Sequence, residues 1–194
     1  APFHDLEPGK GKGLVMLDVG AVPAQALCHR EFSSWQNEFT ADLALGVALG
    51  VCSQTSASTP SIAIIAPYRA QVRLLRQRLR EAQRAKTNLA RQVAAGTIHQ
   101  FQGSEADVVI LDLVDGEGRR SLGKLLCGDT GIRLVTVAVT RARGKCIIIA
   151  NRSWCRTHMR RNDNPLLYDL IVGADAVESL PVIHTMPVLG RLLP

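Results

Sequence analysis

Five short runs of the chain are apolar at almost every position: Leu14 to Val19, Ile62 to Ala66, Val93 to Ile98, Val108 to Leu113 and Cys146 to Ala150. A strand with one wet face alternates polar and apolar residues, so runs without alternation predict strands buried on both faces. Helical patterns separate them. Val72, Leu75, Leu79 and Ala82 recur at steps of three, four and three, with Arg73, Arg76, Arg80 and Arg84 on another face. That is the stripe of a helix with one packed side and one wet side. Ser33 or Ser34 can cap an earlier helix through Phe39, Leu43, Val47 and Val51, which ends at a Ser/Thr-rich loop at 53–61. Asp129 or Thr130 can start a short helix through Leu134, Val137 and Ala138, and Pro165 suits the first position of a last one through Leu166, Leu167 and Leu170. Buried strands alternating with helices predict an α/β fold, a mainly parallel sheet with helices on both faces. In such sheets ligands collect at the carboxyl ends of strands, here the loops after Ala66, Ile98 and Leu113.

At 194 residues the chain predicts one domain, residues 1–171, and a loosely held tail at 172–194, where Pro181, Pro187 and Pro194 fall. The longest apolar stretch, Leu43 to Cys52, is too short to cross a bilayer. Cys28, Cys52, Cys127, Cys146 and Cys155 are odd in number and scattered, unlike a disulfide framework. Cys155 and His158 have ligand-like spacing, but no second close pair completes a zinc site, so plain thiols, no metal and an intracellular setting, cytoplasmic or nuclear, are expected. The net charge of +6 is uneven: Arg69 to Arg91 and Arg141 to Arg161 carry +7 each, leaving −8 on the rest. Two basic segments on an acidic body suit a polyanionic partner.

Gly118 to Lys124 fits the glycine and lysine spacing of a phosphate loop, but the next residue is Leu125 where a magnesium-binding Ser or Thr must stand. Three other strings matter more: Ala66-Pro67-Tyr68-Arg69-Ala70-Gln71, then Thr97-Ile98-His99-Gln100-Phe101-Gln102-Gly103-Ser104-Glu105-Ala106-Asp107, then Arg133 to Arg143 with its Thr140-Arg141-Ala142-Arg143 ending. Gly103 lets backbone approach a phosphate or ribose, Glu105 can accept from sugar hydroxyls or hold a water, and Arg141 can neutralise charge on a transferred phosphoryl group.

In order and spacing these strings resemble the second RecA-like motor domain of superfamily 1 helicases, in the branch of the nonsense-mediated decay helicase, with its T-P-Y-x-x-Q, S-F-Q-G-x-E-x-D and L-N-V-A-L-T-R-A-R segments. The resemblance covers roughly residues 14–152. It implies a RecA-like P-loop NTPase fold and an ATP-dependent helicase or translocase. Gly103 and Glu105 would line the ATP site with Gln102 supporting the turn, and Arg141 would reach the γ-phosphate. Arg143 would be the structural one of the two arginines. Pro67, Tyr68, Arg69, Thr97, His99 and Gln100 would face single-stranded DNA or RNA, Tyr68 offering a ring face. His99 stands where relatives carry Asp or His, and Thr40 where they usually carry Glu. No Walker A, Walker B or Q-Y-R-x-x-P segment is found. ATP with Mg2+ would therefore be held mainly by a first RecA-like domain, and this half alone is expected to be inactive. The competing reading is a degenerate, non-catalytic RecA-like module that binds nucleic acid or protein.

Overall fold

The computed structural model describes residues 3–22, 24–55, 59–85, 88–101, 103–173 and 179–181. In chain order the elements are β1 (Leu14–Asp18), β2 (His29–Glu31), β3 (Ser34–Gln36), α1 (Glu38–Ser53), β4 (Ile62–Ile65), α2 (Arg69–Arg84), β5 (Val93–Gly96), β6 (Ala106–Asp112), α3 (Gly128–Thr140), β7 (Ala142–Ala150), α4 (Arg152–His158), α5 (Pro165–Ile171) and β8 (Ser179–Pro181). Six strands form one sheet in the order β5-β4-β6-β7-β1-β8, every neighbouring pair parallel. β2 and β3 form a separate antiparallel hairpin.

The apolar runs become strands because both sheet faces are covered. Val15, Leu17, Ile62, Ile64, Val108, Ile110, Ile147 and Ile149 pack with α1 and α2 in one buried cluster. Their alternates Met16, Ala63, Ile65, Val109, Leu111, Cys146 and Ile148 pack with Leu134 and Ala138 of α3, Trp154 of α4 and Leu167 of α5 in the other. Full burial of such a side chain stabilises the fold by about 1.5–3 kcal/mol. No helix among the described residues is long and apolar enough to cross a membrane.

The structure departs from the sequence reading in several places. Neither Ser33 nor Ser34 caps α1: Ser34 belongs to the hairpin, and Asn37 caps the helix, its Oδ1 accepting from Thr40 N at 3.1 Å. The strand read as Val93–Ile98 stops at Gly96, since Ile98–Phe101 close a 3₁₀ turn. α3 begins at Gly128, one residue before Asp129. Within the expected tail, Ser179–Pro181 pair with Met16–Asp18 at the sheet edge.

Two buried polar groups bind elements together. Lys145, in the middle of β7 and fully buried, donates its Nζ hydrogens to the carbonyls of His4 at 3.1 Å, Gly9 at 2.9 Å and Leu6. Three carbonyls replace the ammonium's water and lash the N-terminal segment to the sheet, while burial lowers its pKa. At the other end of the sheet Asp112 is fully buried and accepts from Gln71 Nε2 at 2.6 Å, Thr40 Oγ1 at 3.1 Å and Val114 N at 3.0 Å. Gln71 is the hub: its Oε1 accepts from Asn37 N at 2.8 Å and its Nε2 also donates to Asn37 O at 3.0 Å. One carboxylate thus joins β6 to the first turns of both α1 and α2.

Burial pushes the Asp112 carboxyl from 3.8 up to about 6, although its three donors pull it down. A carboxyl with a raised folded-state pKa binds its proton more tightly when folded. Its contribution therefore favours folding below about pH 4 and is lost as pH rises through about 6. The stability of Asp112→Asn relative to wild type, measured by urea unfolding, should rise between about pH 4.5 and about pH 7. A difference that falls over that window contradicts the assignment.

Candidate functional site

The candidate residues gather at opposite ends of the sheet. At the amino end, Ala106 of β6 pairs with Ala142 of β7, and Ala106 N donates to Arg141 O at 3.1 Å. Glu105 and Arg141 immediately precede those paired residues, so parallel pairing puts them side by side on one rim. This corrects the expectation that the informative loops lie at strand carboxyl ends. The chain leaving β5 runs through the Ile98–Phe101 turn, whose Ile98 is buried against the α3 face, and Glu105 emerges where the next strand begins. The register slips between Ala106 and Val108, which oppose Ala142 and Lys145, so β7 carries one extra residue next to the rim. Bulges of this kind re-aim side chains beside sites.

Arg141 caps the carboxyl end of α3, its N–H donating to Val137 O at 3.0 Å. Its side chain is half-buried, and its Nε is buried without a hydrogen-bond partner among the described residues. A guanidinium N–H with no acceptor is costly unless an anion meets it. Arg143 is different: its Nη2 pairs with Asp107 Oδ1 at 2.8 Å. Partial burial opposes ionisation of Asp107, but the Ser61 N–H and hydroxyl and Arg143 outweigh it and hold the carboxyl below its ordinary value. Arg143 thus has an acid partner at the rim, which Arg141 Nε lacks among the described residues. Gly103 has φ +86°, which a side chain would strain, and nothing lies within 4 Å of where a Cβ would sit. Glu105 is exposed. Gln102 lies outside the described residues. An open glycine, an exposed carboxylate and an orphaned guanidinium N–H suit a nucleotide's ribose and phosphates. Among the described residues no group of three or more His, Cys, Asp or Glu side chains could hold a metal ion.

At the carboxyl end, Pro67 and Tyr68 are buried and Arg69 is exposed. Tyr68, 6% exposed, offers no open ring face to a base, contrary to the sequence reading. Its hydroxyl donates to Asp115 Oδ1 at 2.7 Å and accepts from Arg119 Nη1 at 3.1 Å. Arg119 also pairs with Asp115 Oδ1 at 3.0 Å and lies 4.4 Å from the Trp35 ring centroid. Asp115 Oδ2 accepts from Gly123 N at 2.6 Å. In the string that mimics a phosphate loop, an internal carboxylate thus occupies the very backbone N–H a phosphate would need. Burial pushes Asp115 up to about 6 against the pull of Arg119, and burial together with Asp115 raises Tyr68.

Of the remaining expected nucleic-acid contacts, Thr97 is half-buried and His99 and Gln100 are exposed around the turn after β5. Gln100 Oε1 accepts from Thr97 N at 3.0 Å and from Arg76 Nη2 at 3.0 Å, which ties the turn to α2. Sequence reasoning did not single out Asp115, Arg119 or Trp35. Asp115 stands two residues beyond a buried strand, the one local sign of a carboxylate held inside.

Tyr68→Phe keeps the ring and removes the hydroxyl that Asp115 and Arg119 share. It should cost about 1–3 kcal/mol in urea unfolding and leave single-strand binding unchanged. A loss of binding at unchanged stability would restore Tyr68 to the nucleic-acid surface.

Residues 3–153, from the N-terminal segment through β7, match the family described as AAA domain. "Probable helicase MAGATAMA 3" of Arabidopsis thaliana is 28% identical over 118 residues, 61% of this chain and 13% of that protein. "DNA-binding protein SMUBP-2" is 36% identical over 97 residues in both Rattus norvegicus and Mesocricetus auratus, 50% of this chain and 9% of those proteins. The chain therefore spans a small part of each relative's length. A parallel sheet layered by helices on both faces, matched by this family over most of its length, belongs to the AAA domain family.

Proposed function

We propose that this chain is the C-terminal motor domain of an ATP-dependent DNA or RNA helicase or translocase, supplying half of the ATP site and part of the single-strand track. The observation that carries the reading is the juxtaposition of Glu105 and Arg141 through the Ala106–Arg141 hydrogen bond, with Arg141 Nε unpartnered among the described residues. A first RecA-like domain of the parent protein would close over this rim and hold the β-phosphate and Mg2+. ATP bound between them supplies the phosphoryl group whose transfer to water drives stepping. Gly103 gives the backbone room beside the nucleotide, Glu105 accepts from its sugar hydroxyls, and Gln102 supports that turn. Arg141 donates to the γ-phosphate, where a positioned guanidinium stabilises charge growing in the transition state. Because Arg141 joins the end of α3 to the start of β7, whatever draws it toward the phosphate pulls on a central strand of the sheet, a direct route from closure to movement.

The strand would cross the other end of the sheet, along Arg69, Thr97, His99 and Gln100, with Pro67 and Tyr68 as the buried support beneath. Names of the relatives, a helicase and a DNA-binding protein, agree with both halves of this reading.

In the parent protein Arg141→Ala should lower nucleic-acid-stimulated ATP hydrolysis by about 10³-fold or more while leaving single-strand affinity within about twofold. Phosphate-release and anisotropy assays read the two separately, and unchanged turnover would remove Arg141 from the site.

A further inference from the structure

The hairpin β2–β3 does little for the core, yet it is built at a cost. Phe32, at its tip, is 83% exposed and sits at φ +53°, a left-handed conformation that strains a bulky residue. Burying little, the ring gains little hydrophobic stabilisation to offset that strain. The hairpin is docked on α2, where Ser34 Oγ accepts from Ala70 N at 3.1 Å, and a groove of about 550 Å³ lies between them. Arg73, Arg76 and Arg80 line it, all exposed and one helical turn apart, with Arg73 5.9 Å from the Phe32 ring centroid.

The arginines of α2 divide by partner. Arg78, on the side facing α1, lies at 3.1 Å from Asp42 and within 4.0 Å of Glu38 and Glu81, so acids neutralise it. The groove side carries three cations against one lining acid, Glu31. Arg76 also holds Gln100 at 3.0 Å, which makes the groove continuous with the turn after β5.

An exposed aromatic face beside a row of guanidinium groups is the combination that binds single-stranded nucleic acid without sequence preference: stacking for bases, cations for phosphates. From this geometry we infer that the groove between the hairpin and α2 is a second single-strand site, in which Phe32 stacks a base and Arg73 and Arg80 meet its flanking phosphates. It extends the track of the proposed function beyond the turn that carries Thr97 and Gln100, and it rests on that reading. An acidic peptide could meet the arginines, but it would leave the aromatic ring without a purpose.

The test is anisotropy of a fluorescein-labelled oligothymidine of about 20 nucleotides with the 194-residue chain, at about 50 and 200 mM salt. Phe32→Ala should weaken binding about five- to tenfold, and Phe32→Tyr should restore it. Arg80→Gln should weaken it and lower the slope of log affinity against log salt by about one. Both residues are exposed, so circular dichroism of the variants should match wild type. Binding by wild type that Phe32→Ala leaves unchanged overturns the inference and spares the proposed function. Tighter, Phe32-dependent binding of a polyglutamate peptide overturns it in favour of a protein ligand. No oligonucleotide binding by wild type overturns this site and the nucleic-acid half of the proposed function together.

Discussion

The pairing of β6 with β7 sets the position of nearly everything else. It runs from Ala106 opposite Ala142 to Asp112 opposite Ile149, and both strands are buried on both faces. At its amino end the ladder delivers Glu105 and Arg141 to one rim; at its carboxyl end it delivers Asp112 and the loop that holds Asp115. Two ends of one paired element therefore carry the residues proposed for the nucleotide and those proposed for the strand.

Asp112 and Asp115, three residues apart, illustrate two ways of burying a carboxylate. Asp112 meets only neutral donors from α1, α2 and the loop, whereas Asp115 has the Arg119 cation beside it and still titrates high because burial dominates. Removing a partner from such a group is expensive, since the charge stays behind unpaired. The Thr40 hydroxyl belongs to this interior network. It is a short neutral donor to a buried acid, and a carboxylate in its place would face Asp112 directly.

The strands and their parallel orientation, though not their order in the sheet, were legible because apolar runs without alternation have few other uses, and α2 because its arginines and leucines keep a helical period. The motif strings singled out Glu105 and Arg141, which β6–β7 pairing brings to one rim. Their meeting at strand amino ends was not legible, because the crossing of the 98–105 segment over the sheet leaves no local signature. The hairpin was missed since each of its strands has three residues, none buried. α4 was missed because seven residues with one buried Trp-Cys pair show no period. Lys145 looked like part of a basic surface; only the carbonyls of His4, Leu6 and Gly9, far away in sequence, make it an interior group. Tyr68 was misjudged for the same reason, its partners Asp115 and Arg119 lying beyond β6.

The account stands or falls on one rim serving one nucleotide. Photo-crosslinking the parent protein with ATP analogues reactive at the ribose and at the γ-phosphate, followed by peptide mass spectrometry, tests this directly. The ribose probe should label the peptide containing Gly103 and Glu105, and the γ-phosphate probe the peptide containing Arg141. Labelling of the Gly118–Lys124 loop or of α2 in their place would contradict the account.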